Sequence, residues 1–302
     1  MAPDTTPDST PEPSRRRFLT VLAGLGGLGA VALTTKSSLT HDIPHQASGL
    51  TGGMSLTELS RGSTSRAIIH QEQVWSAARG RTVGLVTLIP AGSHHGRLPV
   101  CVVLHGRTGH SEEVTAAPMP RTLDDTITRG GTPFAVMAVD GGDDYWHEHN
   151  KGDDPMGMLL REVPMWAAAR GLGAPEAAVG VSMGGFGALL YARRRREQGR
   201  PLRAVGAIAP ALILSWEEMS KRNAFHDEAD WASMDPLRNI PALGNVPVGI
   251  WCGTEDSFIE GARQFIDKAN PEVATLGPGG HTRAFFDESV PPALAFVGSR
   301  LR

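Results

Sequence analysis

Residues 177–187 read Ala-Ala-Val-Gly-Val-Ser-Met-Gly-Gly-Phe-Gly, and this stretch decides the fold. The segment before Ser182 is a short apolar run, which is typical of a strand buried on both faces of a parallel sheet. A helical pattern follows it over residues 184–198. Glycines on both sides of the serine allow strand and helix to approach closely around a sharp turn. The stretch therefore predicts a strand, a tight turn that projects Ser182 above the sheet, and a helix.

Further apolar runs alternate with helical patterns along the rest of the chain. Strands are predicted at residues 74–78, 82–89, 98–104, 134–139, 177–181, 204–209, 246–252 and 273–276, and helices at residues 118–129, 156–170, 184–198 and 291–301. Arg79-Gly80-Arg81 joins the first two strands as a hairpin. Such alternation predicts a mostly parallel central sheet flanked by helices. The segment between Pro210 and Val246 has no strand pattern and is predicted to form a small helical cap.

Composition and charge are those of an ordinary globular protein. The chain has 302 residues and a formal net charge of −3, which is too close to neutral to favour a nucleic-acid partner. Cys101 and Cys252 each lie in a predicted strand, so we expect two buried thiols. The alternative is a disulfide, which requires a location outside the cell.

A serine at such a turn is a weak nucleophile until a base removes its proton, and an acid usually orients that base. Gly-x-Ser-x-Gly between a strand and a helix is the nucleophile elbow of the α/β-hydrolase fold, in which serine, acid and histidine follow one another along the chain. His281, in Gly279-Gly280-His281 after the last predicted strand, is the expected base. Asp256, after the strand at 246–252, is the expected acid, with Glu255 as the alternative.

An oxyanion hole needs two backbone N–H groups aimed at the oxygen that becomes negative during the reaction. The first is expected from Met183, the residue after the nucleophile. The second is expected from Arg107, in the loop His105-Gly106-Arg107 that follows the strand at 98–104. We expect His105 to brace this loop by hydrogen bonds rather than to transfer protons, and both His105 and Gly106 to lie against the substrate.

Together these residues resemble the putative esterase family, which includes esterase D and the antigen 85 mycolyltransferases. The resemblance runs through most of the domain and rests on short segments at residues 76–81, 104–106, 160–164, 180–185, 253–256 and 279–281. It implies an α/β-hydrolase fold, a triad of serine, aspartate or glutamate, and histidine, and no cofactor. It also makes residues 140–149 a loop at the edge of the site, where Tyr145 and Trp146 contact the substrate.

The chain departs from the family pattern in ways that bear on the reaction. Phe285 and Phe286 follow the histidine where members often carry tryptophan, and Ala209-Pro210-Ala211 stands where Ser-Gly is common. The antigen 85 loop resembles Asp-Gly-Leu, whereas this chain has His105-Gly106-Arg107. These differences weigh against sugar mycolylation and favour simple ester hydrolysis. The apolar run that begins at Leu212 indicates an aliphatic acyl pocket.

Other polar clusters are predicted to have structural rather than catalytic roles. Residues 140–149 are rich in aspartate and histidine, which bind metal ions elsewhere, but we predict no metal site in this chain. Arg193–Arg196, at the end of a helix, predict a solvated basic face, with binding of anionic lipid or cell-wall polymer as the alternative. His226 in the cap and the pair His94-His95 in a turn are expected at the surface.

The N-terminus resembles an export signal rather than part of the fold. Ser14-Arg15-Arg16-Arg17-Phe18-Leu19-Thr20 precedes a glycine-rich apolar run that ends near Leu33, the pattern of a twin-arginine signal. We assign residues 1–34 to this signal, 35–66 to a linker and 67–302 to the catalytic domain. The protein would then fold before export and work outside the cell or at the cell envelope. A single N-terminal anchor helix is the alternative.

We therefore expect an exported serine carboxylic-ester hydrolase that acts on a small-molecule or lipid ester near the membrane or cell envelope. No cofactor, metal or nucleic-acid partner is expected, and the sequence indicates no oligomeric state. The alternative within the same chemistry is acyl transfer to a sugar or glycerol acceptor. A third hypothesis, a non-enzymatic binding module, gives no reason for the three catalytic residue types to occur in the order of the fold. Peptidase and thioesterase reactions use the same triad.

Overall fold

The computed structural model describes residues 66–93, 97–116 and 118–301. The predicted export signal at 1–34 lies outside these residues, as do most of the linker at 35–66 and the pair His94-His95. Within the described ranges, no helix combines the length and the apolar character that crossing a membrane requires.

One mixed sheet carries the fold. Its strands among the described residues are β1 Ile68–Ser76, β2 Arg81–Ile89, β3 Val100–Leu104, β4 Ala135–Val139, β5 Pro175–Val181, β6 Ala204–Ile208, β7 Val248–Gly253 and β8 Val273–Gly277. Their order across the sheet is β1-β2-β4-β3-β5-β6-β7-β8. β1 pairs antiparallel with β2 and β2 with β4, whereas every pair from β4 to β8 is parallel. The predicted mostly parallel sheet is confirmed.

Helices cover both faces of this sheet. They are α1 Met119–Thr128, α2 Pro155–Gly157, α3 Val163–Ala169, α4 Met183–Glu197, α5 Trp216–Ser220, α6 Glu228–Met234, α7 Ile259–Ala269 and α8 Arg283–Gly298, with a π-helical stretch Met158–Glu162 between α2 and α3 and 3-10 helices at Ser111–Thr115 and Ile240–Leu243. α4 and α7 pack on one face of the sheet, and α1 and α8 pack on the other. This arrangement confirms the predicted α/β-hydrolase architecture.

β3 shows why the central strands are apolar at every position. Val100, Val102 and Leu104 belong to the core on the α4 side, whereas Cys101 and Val103 belong to the core on the α8 side. All five side chains are buried. A strand covered on both faces has no position left for a solvated side chain, so its sequence loses the usual alternation of polar and apolar residues.

Both cysteines are buried and free, as the sequence predicts. Cys101 lies in β3 and Cys252 in β7, and β5 and β6 separate these two strands in the sheet. Burial raises the pKa of Cys252 to about 12, so its thiol stays protonated at neutral pH and is a poor nucleophile.

The C-terminal helix is longer than the sequence predicts. α8 begins at Arg283, well before the predicted start at residue 291, and Pro291 and Pro292 lie inside it. The prolines remove two backbone donors from the helix. The helix nevertheless continues because the Thr282 hydroxyl caps its first turn and buried residues such as Leu294 pack in the core beside β6.

The segment between β6 and β7 forms the predicted helical cap, which contains α5, α6 and the second 3-10 helix. Arginines at the C-terminal end of α4 hold the cap in place. The Arg193 guanidinium donates to the Ser233 carbonyl at 2.6 Å, and the Arg196 guanidinium donates to the Ala242 carbonyl at 3.2 Å. The predicted solvated basic face at Arg193–Arg196 is only partly present. Arg196 is exposed, but Arg195 is buried, and Arg193 and Arg196 bond to backbone carbonyls of the cap.

Asp235, at the end of α6, is a carboxylate buried in the cap. Its side chain is 3% exposed, accepts a hydrogen bond from Leu237 N and lies 3.4 Å from Arg238 Nε. Burial raises the pKa of Asp235 to about 6, whereas roughly 4 is expected in the unfolded chain. The folded protein therefore keeps a proton that the unfolded chain loses between about pH 4 and pH 6. As the pH rises through that window, Asp235 makes the folded state less stable.

We predict that Asp235→Asn removes this destabilisation while its amide oxygen still accepts the bond from Leu237 N. Urea unfolding should show a gain in unfolding free energy of up to about 3 kcal/mol at about pH 7.5 and little gain near pH 4. Asp125→Asn, at an exposed position, is the control for the loss of a surface charge. An equal change at both pH values would contradict the prediction.

Candidate active site

Ser182 lies on a strained turn between β5 and α4. Its φ of 56° and ψ of −118° fall in a region that residues other than glycine seldom adopt. Ser182 N donates to the Ile208 carbonyl at 2.9 Å, which ties the turn to the end of β6. β5 brings the chain to the carboxyl edge of the sheet and α4 carries it away, so Ser182 lines a cavity at that edge.

Close packing of backbone explains the glycines around this turn. A Cβ atom on Gly184 would lie 2.1 Å from the Leu104 carbonyl oxygen, and one on Gly180 would lie 1.9 Å from the Gly184 carbonyl oxygen. Cβ atoms essentially never come closer than 3.0 Å to such neighbours. Neither position therefore accepts a side chain unless the backbone moves.

His281 links Ser182 to Asp256. Its Nε2 lies 2.8 Å from Ser182 Oγ, and its Nδ1 lies 2.7 Å from Asp256 Oδ2. Because a carboxylate only accepts hydrogen bonds, Nδ1 of the neutral ring carries the proton, and Nε2 accepts a bond from the Ser182 hydroxyl. Side chains from three separate loops thus form one continuous chain of hydrogen bonds.

The environment of Asp256 and His281 restricts both side chains. Asp256 has no exposed side-chain surface, and its second oxygen accepts a hydrogen bond from Phe258 N at 2.8 Å. The rings of Phe258 and Phe286 each pack edge-on to the His281 ring, at 5.0 Å between ring centroids. These contacts hold the imidazole in the plane that reaches both partners.

Of the two candidate acids, the structure brings Asp256 to His281. Glu255 is exposed, and its backbone N donates to the Gly279 carbonyl at 2.9 Å. This bond connects the loop after β7 to the loop after β8. Glu255 therefore contributes through its backbone to the spacing between the acid and the base.

The loop after β3 lies beside Ser182. A Cβ atom added to Gly106 would lie 3.5 Å from Ser182 Cβ, and both Arg107 and Met183 line the same cavity as Ser182. Met183 is the first residue of α4, where backbone N–H groups have no partner within the helix. The two residues predicted to form the oxyanion hole thus border the nucleophile.

His105 fixes this loop from inside the protein. Its Nε2 accepts a hydrogen bond from Gly141 N at 2.8 Å, so Nδ1 carries the proton and donates to the Gly106 carbonyl at 2.7 Å. Burial lowers the pKa of His105, which favours the neutral ring that these two bonds require. The Trp146 indole N–H donates to the His105 carbonyl at 3.3 Å. These bonds connect the loop after β3 to the loop after β4.

The residues predicted to contact the substrate separate into two groups. Gly106 and Tyr145 line the cavity with Ser182. His105, Trp146 and Leu212 are buried and do not line it. Trp146 and Leu212 pack behind the walls of this cavity, whereas His105 lines a smaller apolar cavity that adjoins it. Trp146, for example, packs against the His105 ring at 4.9 Å between ring centroids.

The acidic residues of the loop at 140–149 hold neighbouring backbone. Asp140 accepts hydrogen bonds from Gly84 N and Ser111 N, and Asp143 accepts one from Thr108 N. Among the described residues, no group of three or more histidine, cysteine, aspartate or glutamate side chains is placed to hold a metal ion.

Two adjoining cavities reach the site. The first has a volume of about 520 Å³ and lies over Ser182 and His281. The second has a volume of about 70 Å³, lies between α1 and α8, and is lined mainly by apolar side chains such as Val290. The two cavities share four lining residues, Glu113, Val181, Arg283 and Phe286.

Comparisons with known proteins identify the family and the fold of this chain. A protein-family model described as "Putative esterase" matches residues 76–272. No curated protein matches the sequence.

Solved structures share the fold at low sequence identity. An S-formylglutathione hydrolase from Agrobacterium tumefaciens has a TM-score of 0.67 and 17% identity, over 80% of this chain and 98% of its own. A ferulic acid esterase has a TM-score of 0.65 and 16% identity, over 77% of this chain and 98% of its own. A fluorophosphonate-binding serine hydrolase from Staphylococcus aureus has a TM-score of 0.62 and 17% identity, over 76% of this chain and 98% of its own.

We predict that Gly184→Ala lowers the free energy of unfolding by at least about 2 kcal/mol, because the new Cβ meets backbone that cannot move independently. Gly277→Ala is the matched control, since a Cβ at the end of β8 meets nothing within 4 Å. Thermal or urea unfolding of both variants measures the difference. Equal stability of the two variants would show that the turn has more freedom than its packing indicates.

Proposed function

This chain belongs to the putative esterase family and is a carboxylic ester hydrolase, and we propose that it works through a covalent acyl-enzyme formed on Ser182. The observation that carries the proposal is the continuous chain of hydrogen bonds from Ser182 through His281 to Asp256. That arrangement supplies a nucleophile, a base within reach of its proton, and an acid that orients the base.

In the first half of the reaction, Ser182 Oγ attacks the ester carbonyl carbon while His281 Nε2 takes the hydroxyl proton. The N–H groups of Met183 and Arg107 donate to the carbonyl oxygen as it becomes negative. Asp256 accepts the bond from Nδ1 and stabilises the imidazolium. When the tetrahedral intermediate collapses, the carbon–oxygen bond to the alcohol breaks and His281 gives the proton to the departing oxygen.

In the second half, water attacks the acyl carbon of the acyl-enzyme, and His281 takes a proton from that water. The bond to Ser182 Oγ then breaks, the proton returns to the serine, and the carboxylic acid leaves. No cofactor is needed for either half of the reaction. Acyl transfer differs only in that a sugar or glycerol hydroxyl replaces this water.

The apolar cavity beside the site favours a short acyl group. A water-sized group needs about 10–15 Å³ of such volume, so a cavity of about 70 Å³ has room for roughly five to seven heavy atoms. Phe286 forms part of its wall and also packs on His281, and this contact supports our assignment of the substrate's acyl group to that cavity. This cavity replaces the pocket that the sequence assigns to the run beginning at Leu212.

We predict that p-nitrophenyl esters from acetate to palmitate are hydrolysed with the highest kcat/KM at short acyl chains of about four to six carbons. Ser182→Ala should lower kcat by about a thousandfold or more. Retained activity in Ser182→Ala would identify another nucleophile, and an optimum at palmitate would exclude the small cavity as the acyl site.

The same assay tests which of the adjacent residues Asp256 and Glu255 is the catalytic acid. Asp256→Ala should lower kcat by about a thousandfold or more, because His281 loses the partner that fixes its tautomer, whereas Glu255→Ala should stay within about threefold of wild type. The reverse order would assign the acid to Glu255. Product analysis with added glycerol should give the free acid, and an acylglycerol product would favour acyl transfer.

We propose that the protein is exported folded by the twin-arginine route and works outside the cell or at the envelope. The paired arginines before Phe18-Leu19 support this, and so do the two buried free thiols, since a domain without disulfides folds in a reducing cytoplasm. Replacing Arg15 and Arg16 together by lysine should retain the protein in the cytoplasm, whereas Arg17→Lys is the matched control. Equal export of the two variants would contradict the proposal.

A further inference from the structure

Polar side chains on the wall of the active-site cavity lack the partners that would satisfy them. Arg107, Arg222 and Tyr145 line this cavity together with Ser182. Within the described part of the chain, neither Arg107 nor Arg222 forms an ion pair with a carboxylate. Arg283, the third arginine of the same wall, does have such a partner, because its Nε lies 2.7 Å from Asp287 Oδ1.

The two unpaired arginines lie close to each other and to the catalytic base. Arg107 Nη2 donates a long hydrogen bond to the Arg222 backbone carbonyl at 3.5 Å, which leaves its other N–H donors available. Arg222 Nε is buried and has no hydrogen-bond partner among the described residues. The Arg222 guanidinium lies 6.0 Å from the centre of the Phe258 ring, and that ring packs on His281. The positive charges are therefore held beside the position that the substrate must occupy.

Tyr145 faces the same two charges. Burial raises the pKa of the Tyr145 hydroxyl, while the positive charges of Arg107 and Arg222 lower it. No described group forms a hydrogen bond with this hydroxyl, although the residue lines the cavity. Its φ of 51° is uncommon for a bulky residue.

Negatively charged side chains are scarce on this wall of the cavity. Glu113 is the one carboxylate among the described residues that line the cavity, and it pairs with neither arginine. Within the described ranges, neither guanidinium group has a counter-ion, and the positive charges of both act on the Tyr145 hydroxyl. Each also presents N–H donors in a planar fork, which matches the oxygens of a carboxylate or a phosphate.

We propose that the ester substrate carries an anionic group, a carboxylate or a phosphate, which Arg107, Arg222 and Tyr145 bind. The proposal rests on the proposed function, because it places the anion beside the carbonyl that Ser182 attacks. The anion accepts hydrogen bonds from both guanidinium groups and from the Tyr145 hydroxyl. The backbone of Arg107 borders Ser182, and its guanidinium is at the other end of the side chain. The distance from the anion to the reacting carbonyl is therefore about the length of one arginine side chain.

Matched pairs of esters test the proposal. On the acyl side, 4-nitrophenyl hydrogen adipate is compared with neutral 4-nitrophenyl hexanoate. On the alcohol side, 3-acetoxybenzoate is compared with 3-methylphenyl acetate. Wild type should prefer the anionic member of at least one pair, and the pair that responds shows which half of the ester carries the anion. The preference should decline as the salt concentration rises, because exposed charges are screened.

Substitutions at the wall should abolish this preference. Arg222→Gln and Arg107→Gln should each lower the ratio of kcat/KM for the anionic ester to that for its neutral partner by about tenfold or more, mainly through KM. Tyr145→Phe should lower it severalfold. Arg203→Gln is the control, because Arg203 is paired with Glu176 beside the amino end of β6, and its ratio should equal that of wild type. An unchanged ratio in Arg222→Gln and Arg107→Gln would overturn the proposal.

A binding measurement separates this proposal from the proposed function. Adipate and inorganic phosphate should inhibit hydrolysis of the neutral ester competitively, and should raise the thermal midpoint of Ser182→Ala but not of Ser182→Ala/Arg222→Gln. The more effective of the two anions identifies the natural group. Anion binding without ester hydrolysis would refute the proposed function and support the anion site. Ester hydrolysis without anion binding would support the proposed function and refute the anion site.

Discussion

The backbone at Ser182 keeps its strained conformation because other parts of the chain pack against it without side chains between them. Gly184 meets the Leu104 carbonyl at the end of β3, and Gly185 meets Pro210 after β6. Strain of this kind costs about 1–3 kcal/mol and persists only where its surroundings enforce it. The turn therefore does more than expose a nucleophile. It sets the distance from Ser182 to the loop after β3 on one side and to the cap on the other.

The ends of the strands, rather than the loops themselves, fix the positions of the three side chains at the candidate site. β5, β7 and β8 deliver Ser182, Asp256 and His281 to one edge of the sheet, and backbone hydrogen bonds join the last two loops. Thr254 N donates to the Gly277 carbonyl, and Glu255 N donates to the Gly279 carbonyl. Such a site is preorganised, because few bonds remain free to rotate before the substrate arrives.

Local patterns predict the sheet, and they predict that Ser182, Asp256 and His281 each follow a strand. They succeed because a buried parallel strand and a glycine-rich turn are both easily recognised in a sequence. The sequence-based predictions are wrong or incomplete where two sequence signals indicate different structures for the same segment. In α8, Pro291 and Pro292 suggest a helix start, but tertiary packing carries the helix through them. α7 is not among the predicted helices. The helical spacing of its buried residues Ala262 and Phe265 is short, and the segment directly follows the loop that contains the candidate acids.

Long-range partners account for the other differences. Nothing near Trp146 in the sequence shows that its ring turns inward against His105, because that orientation depends on a loop that precedes it by about forty residues. Likewise, charge alone does not reveal that Arg193 and Arg196 bond to carbonyls of the cap. Propensity and periodicity describe neighbours along the chain, whereas these contacts join segments that only the fold brings together.

In the proposed mechanism, the residue that selects the substrate, Arg222, comes from a different part of the chain than the residues that carry the chemistry. Ser182, Asp256 and His281 follow strand ends that the sheet fixes. Arg222 comes from the cap between β6 and β7, which bonds to Arg193 and Arg196 of α4. Changes within the cap can therefore alter the charge that faces the substrate without disturbing the hydrogen bonds from Ser182 to Asp256. Tyr145 constrains this freedom, because it reaches the same wall from the loop after β4, whose backbone also positions His105 and the loop after β3. A substrate anion bound by both Arg222 and Tyr145 would thus connect the cap to the edge of the sheet that carries Ser182.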